Sequence, residues 1–484
     1  MTPHKSDAGP AGATSTPAGT GAPGLQGHDA ATASMPPKPS ARPAFPDFLP
    51  EIGGGRLHSI LFLQGLATPF FRNLAKRLKG HGHSVHRVNF CPGDWIFGPL
   101  PGGFRDQSTN YRGTMEDLPA FYRRIFTDRK VDTLLLFGDC RPIHTEAIKV
   151  AKDMGVRVLV FEEGYTRPGW VTMEEDGTNS FSRLPHKAGA IRVLAQAKGI
   201  TGPAGDVTIK TDMFRRAWMD VANHAVNIFF GRLFFPHYRG HRSVPLSTEA
   251  KGWARRLFLK GDKAENTATL RRYEAGVQDY FLVPLQLNTD YQIRVHSDFP
   301  DVPSFLKQVL ASFAAHADKG VRLFIKNHPL DNGTIPYRQI ITEEATRLGI
   351  GDRVDFARGG DLNRFLKDCR GVVLINSTVG YAALKAGKPM KVLGRALYDM
   401  KGLTDQKPLD AFWAAPEPPE HSLAQAFLGV IQTYTQIRGD FFSLEGADIA
   451  ANGAMDVIEG IRPRLPEPEE KSTSPQHESP AQDV

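Results

Sequence analysis

Residues 132–161 read DTLLLFGDCRPIHTEAIKVAKDMGVRVLVF, a stretch in which two apolar runs flank a mixed one. The runs 132–137 and 156–161 have the length and composition of buried strands. Residues 144–154 between them have the spacing of an amphipathic helix. A strand, a helix and a second strand in this order predict a parallel sheet with helices on both faces.

The same pattern extends along the chain in both directions. Strands are predicted before it at 59–64 and 84–89. After a stretch without clear strands they recur at 280–284, 321–326, 354–356 and 371–375. We therefore predict two Rossmann-like domains facing a cleft, a GT-B-like α/β architecture. The predicted segments are a disordered 1–55, a first domain 56–185, a helical basic and aromatic segment 186–275, a second nucleotide-binding domain 276–440, a C-terminal helix 441–463 and a disordered tail 464–484.

The composition is that of an ordinary globular protein, with 41% hydrophobic and 23% charged residues. The three cysteines form no C-x-x-C pair, which argues against a zinc site or a disulfide framework and suits a reducing cytoplasm. No apolar run approaches the length of a membrane span, and the N-terminus does not have the pattern of a secretory signal. The first 50 residues contain 10 Pro and 6 Gly without apolar periodicity, which predicts disorder.

Two adjacent acids, Glu162 and Glu163, follow the predicted strand 156–161 and precede Gly164. A carboxylate in a tight turn at the carboxyl end of a strand is placed to act as a base or a nucleophile. The alternative interpretation is a solvated turn with ordinary surface acids. Because side chains alternate along a strand, we expect the two carboxylates to point in opposite directions.

Polar groups also follow two predicted strands of the second domain. Lys326 and His328, with Pro329 ending the strand, offer an ammonium and an imidazole that could neutralise a phosphate. Residues 376–378, Asn-Ser-Thr, open a helix, and hydroxyls with free N–H groups at a helix start can bind an anion. The alternatives are a polar strand end and a plain helix N-cap.

A fourth polar group, Asp139, Arg141 and His144, follows the strand 132–137. The guanidinium of Arg141 could hold a substrate carboxylate through two parallel hydrogen bonds. The alternative is an N-cap aspartate with a local ion pair. The shared position of all four groups after strands is the stronger indication, because ligands of α/β sheets bind at these strand ends.

The pieces that carry a family resemblance are FLQG (62–65), NFC (89–91), GDW (93–95), GD with Arg141 and His144 (138–144), EEGY with RP (162–168), PLQ (284–286), HP (328–329) and STVG (377–380). In their order and spacing they resemble the capsule polysaccharide β-Kdo transferases of the KpsS/LipB type, over residues 57–440. The EEG and HP pieces are also similar to motifs of bacterial sialyltransferases, which use CMP-sugars.

The resemblance implies a cytoplasmic glycosyltransferase, peripheral on the inner face of the inner membrane of Gram-negative bacteria. Such proteins move Kdo from CMP-β-Kdo to a phosphatidylglycerol-type lipid and start the β-Kdo linker of a capsular polysaccharide. Net retention of configuration is implied, since donor and product are both β-linked. Other capsule biosynthesis and export proteins are the implied partners.

Carried over to this sequence, the resemblance makes Glu163 the catalytic carboxylate, with Glu162 and Asp139 as competing acids, although relatives carry Asp where this chain has Glu163. We find no Asp-x-Asp motif for a metal-bound diphosphate, and residues 174–176, Glu-Glu-Asp, are interpreted as an exposed turn, so neither a metal nor another cofactor is expected. Arg141 and Arg167 are the candidates for binding the Kdo carboxylate. The full set of expected donor-binding residues is His328, Pro329, Lys326, Asn376, Ser377, Thr378, Gln286, Arg141, His144 and Arg167.

The positive charge of the chain is concentrated in one segment. Residues 210–263 contain 11 Lys or Arg and 4 Asp or Glu, an excess of 7 that equals the net charge of the whole chain. Aromatic residues are interleaved with these bases, a pattern typical of helices on anionic membranes. We predict that the segment docks on such a membrane through bases including Arg215, Arg216, Arg255 and Arg256. The alternative is a helical insert with its aromatics in the core.

Other functions remain open from the sequence. A sugar-nucleotide epimerase also uses two Rossmann units with acids and a histidine in the cleft. A capsule assembly or export factor would bind glycolipid without turnover. Nucleic-acid binding is disfavoured, because no recognition motif accompanies the basic segment.

Overall fold

The computed structural model describes residues 56–98, 107–205, 209, 211–240, 262–276, 278–288, 290–331 and 333–465. The predicted disordered segments 1–55 and 464–484 lie outside them, except for residues 464 and 465. The strands of the described residues are β1 (Ser59–Phe62), β2 (Ser84–Asn89), β3 (Ser108–Asn110), β4 (Thr133–Phe137), β5 (Arg157–Glu163), β6 (Trp170–Glu175), β7 (Tyr280–Pro284), β8 (Arg322–Lys326), β9 (Val354–Ala357), β10 (Gly371–Leu374), β11 (Met390–Val392) and β12 (Gln436–Arg438).

The helices of the same residues differ widely in length. They are α1 (Phe70–Gly80), α2 (Pro92–Phe97), α3 (Leu118–Asp128), α4 (Pro142–Asp153), α5 (Ala188–Ala197), α6 (Met213–Phe234), α7 (Asp262–Glu274), α8 (Tyr291–His296), α9 (Val302–His316), α10 (Tyr337–Arg347), α11 (Leu362–Asp368), α12 (Val379–Lys385), α13 (Leu409–Phe412), α14 (His421–Tyr434) and α15 (Leu444–Ile458).

The first sheet has the strand order β12-β6-β5-β4-β1-β2-β3. Strands β1 to β5 run parallel, whereas β6 and β12 pair antiparallel at one edge. Alternate side chains of each central strand enter different cores: Phe62 packs with α1 and α15, and Leu61 packs with α3 and α4. The sheet is therefore covered by helices on both faces, which explains the continuous apolar runs in its strands.

The second sheet has the order β11-β10-β7-β8-β9, and all its strands are parallel. Its two faces are also buried, with Leu282 in one core and Phe281 in the other. The predicted α/β architecture with two Rossmann-like units is thus confirmed.

The chain returns to the first sheet at its C-terminal end. Strand β12 pairs with β6, and α15 packs against α1. Residues 436–440, which the sequence analysis assigned to the second domain, therefore lie with the first sheet. The side chain of Gln436 fixes this return, because its Oε1 accepts from the Tyr165 N–H at 3.0 Å and its Nε2 donates to Thr172 Oγ1 at 2.8 Å.

The segment 186–275, predicted as one helical insert, contributes helices to three places. Helix α5 packs against α14, α6 against α2, and α7 against β9. Residues 241–261 of this segment, with Arg255 and Arg256, lie outside the described residues.

The two units meet through side chains that follow their strands. Tyr165, after β5, stacks on Tyr381 of α12 with ring centroids 5.0 Å apart. His296, at the end of α8, approaches Cys140 Sγ at 3.6 Å and contacts the ring of Phe181. These contacts bring the carboxyl ends of β4 and β5 close to those of the second sheet.

Candidate active site

Glu163 lies at the centre of the contact between the units. It is the last residue of β5, and 19% of its side chain is exposed. Its carboxylate accepts hydrogen bonds from Arg167 Nη1 and, at 2.5 Å, from Arg216 Nη2 of α6. Burial alone would raise the pKa of Glu163, but the two guanidinium groups outweigh it and lower that pKa. Glu163 is therefore ionised at neutral pH.

Glu162 has the opposite character. Loss of water around its carboxyl group raises its pKa to about 8, and the charges of Glu163, Asp139 and Asp290 add to the increase. The Glu163 N–H donates to Glu162 Oε1 at 3.0 Å. Neighbouring carboxyl groups whose pKa values move apart are typical of sites that divide acid and base roles between them.

The structure differs from the sequence analysis in the local geometry of the acids. Glu162 and Glu163 end strand β5 rather than forming a turn. Glu174, predicted in an exposed turn, is buried in β6, where it accepts from the Tyr165 hydroxyl at 2.6 Å. The pairing of β5 with β6 explains both differences. It extends β5 through Glu162 and Glu163, and it places Glu174 inside a buried strand.

His328 follows β8 and is held in one tautomer. Its Nδ1 accepts the Leu330 N–H at 3.1 Å, so the neutral ring carries its proton on Nε2. Burial lowers the pKa of His328 to about 4, and the nearby charges of Arg167 and Lys326 contribute. His328 is thus a neutral hydrogen-bond donor at physiological pH. Pro329, directly after it, is exposed.

Arg167 links the two units directly. It donates to Glu163 through Nη1 and to Thr378 Oγ1 through Nη2, the latter at 2.9 Å. Ser377 Oγ accepts the Val379 N–H at 3.2 Å, so this hydroxyl is used within the turn. Helix α12 begins at Val379 and has only seven residues, which makes the predicted anion site at its start a weak one.

The remaining residues predicted in the second unit lie close to this point. Gln286 Nε2 donates to Asn376 Oδ1 at 2.9 Å, and its Oε1 accepts the Asn376 N–H at 3.2 Å. Lys326 ends β8 with only 6% of its surface exposed, and burial lowers its pKa. Gln286 and Asn376 therefore brace the loops that carry the more exposed groups.

Two predicted residues of the first unit support its loops instead of facing the cleft. Asp139 Oδ2 accepts from the Thr178 N–H at 2.8 Å and from the Thr178 hydroxyl at 3.2 Å, which fixes the loop after β6. His144 is fully buried, and its Nδ1 bonds the Gly138 carbonyl at 2.7 Å. Burial lowers the pKa of His144 to about 3. The predicted donor contact of His144 does not fit this burial.

Arg141 lies in a cavity of about 470 Å³ between the first sheet and α6. Its Nη1 donates to Gln64 Oε1 at 3.1 Å, and Gln64 Nε2 in turn donates to the Tyr238 hydroxyl oxygen at 3.0 Å. Arg216, which holds Glu163, lines the same cavity. The side chain of Arg216 thus links the wall of the cavity to Glu163, where the two units meet.

The sequence model of the capsule polysaccharide biosynthesis protein family matches residues 132–442. The chain belongs to this family. It is 35% identical over 388 residues to the capsule polysaccharide export protein KpsS of Escherichia coli, which covers 79% of this chain and 96% of that protein. It is 36% identical over 397 residues to the capsule polysaccharide modification protein LipB of Neisseria meningitidis serogroup A, covering 80% and 92%. A solved β-Kdo 2,7 transferase, KpsC of Thermosulfurimonas dismutans, overlays with a TM-score of 0.37 and 15% identity, covering 74% and 93%. The resemblance drawn from the sequence is confirmed at the level of the family.

The site of this capsule biosynthesis protein contains one residue that sequence reasoning misplaced. Arg216 was predicted to contact a membrane, but it turns inward to Glu163 and stacks over Phe442 at 4.4 Å. The signal was present: Arg216, Asn223 and Asn227 share one face of a helix by their spacing. Because this polar face lies opposite the aromatic face of the same helix, the spacing could have been used to assign Arg216 to the inward side.

Two further features bear on the chemistry. Among the described residues, no group of three or more His, Cys, Asp or Glu side chains could hold a metal ion. No helix in the described part of the chain is long and apolar enough to cross a membrane.

Proposed function

We propose that this capsule biosynthesis protein is a retaining glycosyltransferase that moves Kdo from CMP-Kdo to a phosphatidylglycerol-type lipid. The transfer takes place at the inner face of the inner membrane and starts the β-Kdo linker of a capsular polysaccharide. The observation that carries the proposal is the placement of an ionised Glu163 beside a protonated Glu162 and a neutral His328, where the two units meet.

The donor has one phosphate and one sugar carboxylate to be held. His328 offers its Nε2–H to the phosphate, with the ammonium of Lys326 behind it. Arg167 is the group for the Kdo carboxylate, because it is partly exposed beside Glu163. A single phosphate needs no divalent metal to balance its charge, so we expect transfer without one.

The reaction proceeds in two displacements. In the first, a Glu163 carboxylate oxygen bonds to the anomeric carbon of Kdo, and CMP leaves with the electron pair of the broken C–O bond. In the second, the lipid hydroxyl oxygen bonds to that carbon, Glu163 leaves as a carboxylate, and the hydroxyl proton passes to the ionised form of Glu162. Two inversions give net retention.

The E. coli relative is named as an export protein, which favours a second candidate function. In it the protein binds a glycolipid during capsule assembly or export and performs no transfer. The two candidates differ in whether CMP-Kdo is consumed.

The test is to incubate the purified full-length protein with CMP-Kdo and dispersed phosphatidylglycerol, with and without a chelator, and to measure released CMP and lipid-linked Kdo. We expect both products in equal amounts and no effect of the chelator. Glu163→Gln should abolish them, whereas Glu343→Gln, an exposed acid of α10, should not. CMP-Kdo left intact by the wild-type protein would favour the export factor, and activity restored only by added metal would contradict the predicted chemistry.

A further inference from the structure

Helix α6 exposes an apolar face to the outside of the molecule. Of the fourteen large hydrophobic side chains that are exposed in the described residues, eight lie on this one helix. Phe214 is 83% exposed, Phe229 77% and Leu233 74%. With Trp218 and Val221 they recur at helical spacing and form one outer face. An apolar patch of this extent in a folded protein marks a surface that another phase or partner covers.

The opposite face of α6 is polar and faces the protein. Asn227 Oδ1 accepts the Gly93 N–H at 2.7 Å, and Arg216 bonds Glu163. Asp220, Asn223 and His224 line the cavity together with these residues. The polar face of α6 thus points inward and its apolar face outward, whereas an ordinary surface helix places its apolar face against the core.

The charge around α6 identifies what covers its outer face. In the sequence, the segment 210–263 that includes α6 has an excess of 7 positive charges, part of it in residues 241–261 outside the described residues, whereas the remainder of the chain is balanced. Arg232 and Arg239 are exposed at the end of the helix that bears Phe229 and Leu233. Aromatic side chains flanked by exposed bases match the boundary between headgroups and acyl chains of an anionic bilayer. A second copy of this chain would bring the same positive charge onto itself.

The cavity behind α6 contains a buried cation, Arg141, that makes no direct ion pair, although the charges of Glu162 and Asp94 act on it from a greater distance. Arg141 is 8% exposed, and in the described part of the chain no carboxylate lies within salt-bridge distance of it. Its direct hydrogen-bond acceptors, Gln64 Oε1 and the Gly65 carbonyl, are uncharged, and Asp94 contacts Gln64 rather than Arg141. A buried guanidinium without a direct ion pair is costly, so an anion bound in the cavity would complete its surroundings.

We propose that α6 lies in the surface of an anionic bilayer on its outer apolar face, and that the cavity behind it receives the phosphodiester headgroup of one lipid, held by Arg141. The proposal rests on the lipid acceptor of the proposed function and assigns its site. An interfacial helix lies at the depth of the headgroups, so its inner face meets a lipid phosphate without removing the lipid from the bilayer.

Membrane docking is tested by sedimenting the full-length protein with vesicles of phosphatidylcholine, with or without phosphatidylglycerol. We expect binding only to the anionic vesicles, weakened by salt. Replacing Phe214, Trp218 and Phe229 by Ser should weaken it by roughly tenfold or more, because these rings carry the apolar contact. Val193→Ser and Ile461→Ser, equally exposed elsewhere, are the matched controls and should bind as the wild type does.

Two results would overturn the docking proposal. One is that the wild-type protein does not bind anionic vesicles, or binds them equally well after the three replacements. The other is a wild-type dimer that the replacements convert to a monomer, since a second copy would then cover the face. An unchanged melting temperature of the variant ensures that the loss is not one of folding.

The headgroup site is tested with glycerophosphoglycerol, the deacylated headgroup of phosphatidylglycerol. We expect it to raise the melting temperature of the wild-type protein and of Arg141→Lys, which keeps the charge, but not that of Arg141→Gln. No shift in the wild-type protein, or a shift in Arg141→Gln equal to that of the wild-type protein, would overturn the headgroup site. Neither test uses CMP-Kdo, so its outcome is separate from that of the proposed transfer.

Discussion

At the scale of single residues, the site depends on two adjacent acids in opposite states. Glu163 faces two guanidinium groups and is ionised, whereas Glu162 is removed from water beside other acids and holds its proton. The alternation of strand β5 separates their surroundings although they are neighbours in the sequence. Sequence reasoning identified both acids and their divergence, but the partner Arg216 lies 53 positions away and only the fold brings it there.

The state of Glu162 predicts the pH dependence of transfer. With a pKa of about 8, its carboxyl group is protonated at neutral pH and must lose its proton before it can accept one from the acceptor hydroxyl. Transfer should therefore rise as the pH increases through about 8 and then level off. Glu162→Gln should lower transfer by roughly 10²–10⁴-fold, the scale of general base catalysis, and remove this rise. A rise near pH 8 that persists in the variant would assign the base to another group.

The state of His328 predicts a different result. Its pKa of about 4 keeps the ring neutral, so no inflection from this histidine is expected between pH 5 and 8. His328→Ala should lower turnover of CMP-Kdo by roughly 10²-fold or more, because a preorganised donor to the leaving phosphate is lost. His421→Ala, an exposed histidine at the start of α14, is the matched control. Equal kinetics of the two variants would contradict the phosphate contact.

At the scale of elements, the position of α6 depends on a close approach to α2. A Cβ atom at Gly93 would lie 1.8 Å from Asn223 Oδ1, so an alanine there fits only if this side chain of α6 is displaced. Gly93→Ala should lower the free energy of unfolding by about 1–3 kcal/mol, the usual cost of overpacking, and should slow transfer through the displaced Arg216.

Gly80→Ala is the control for this prediction. Gly80 ends α1 at an ordinary φ angle, and a Cβ there would meet nothing within 4 Å. Denaturant unfolding of both variants measures the difference. A Gly93→Ala protein as stable and active as Gly80→Ala would show that α6 does not depend on this approach.

The long apolar strands could be predicted from the sequence, and the short polar ones could not. β4, β5, β7 and β8 are buried on both faces and therefore appear as continuous apolar runs. β12 has three residues, and the buried Gln436 in it is satisfied by hydrogen bonds rather than by apolar packing. β12 pairs with β6, from which it is separated in the sequence by the whole second unit, and hydrophobic periodicity gives no local signal of such a distant pairing.

At the scale of the whole molecule, the candidate site exists only where the two units meet. Glu163 and Arg167 come from the first unit, Thr378 and His328 from the second, and Arg216 from α6. Apart from Arg216, each of these groups was predicted individually because it follows a strand, and parallel strands place such residues at one edge of the sheet. It could not predict that Arg167 would bridge Glu163 and Thr378, since that contact depends on how the units are joined.

The proposed two displacements require Glu163 to carry Kdo covalently, so the adduct itself can be sought. The wild-type protein is incubated with CMP-Kdo in the absence of a lipid acceptor, and its peptides are mapped by mass spectrometry. We expect a single Kdo adduct on Glu163, absent in Glu163→Gln and discharged when dispersed phosphatidylglycerol is added. An adduct on another residue, such as Asp139, or steady transfer without any adduct would contradict it.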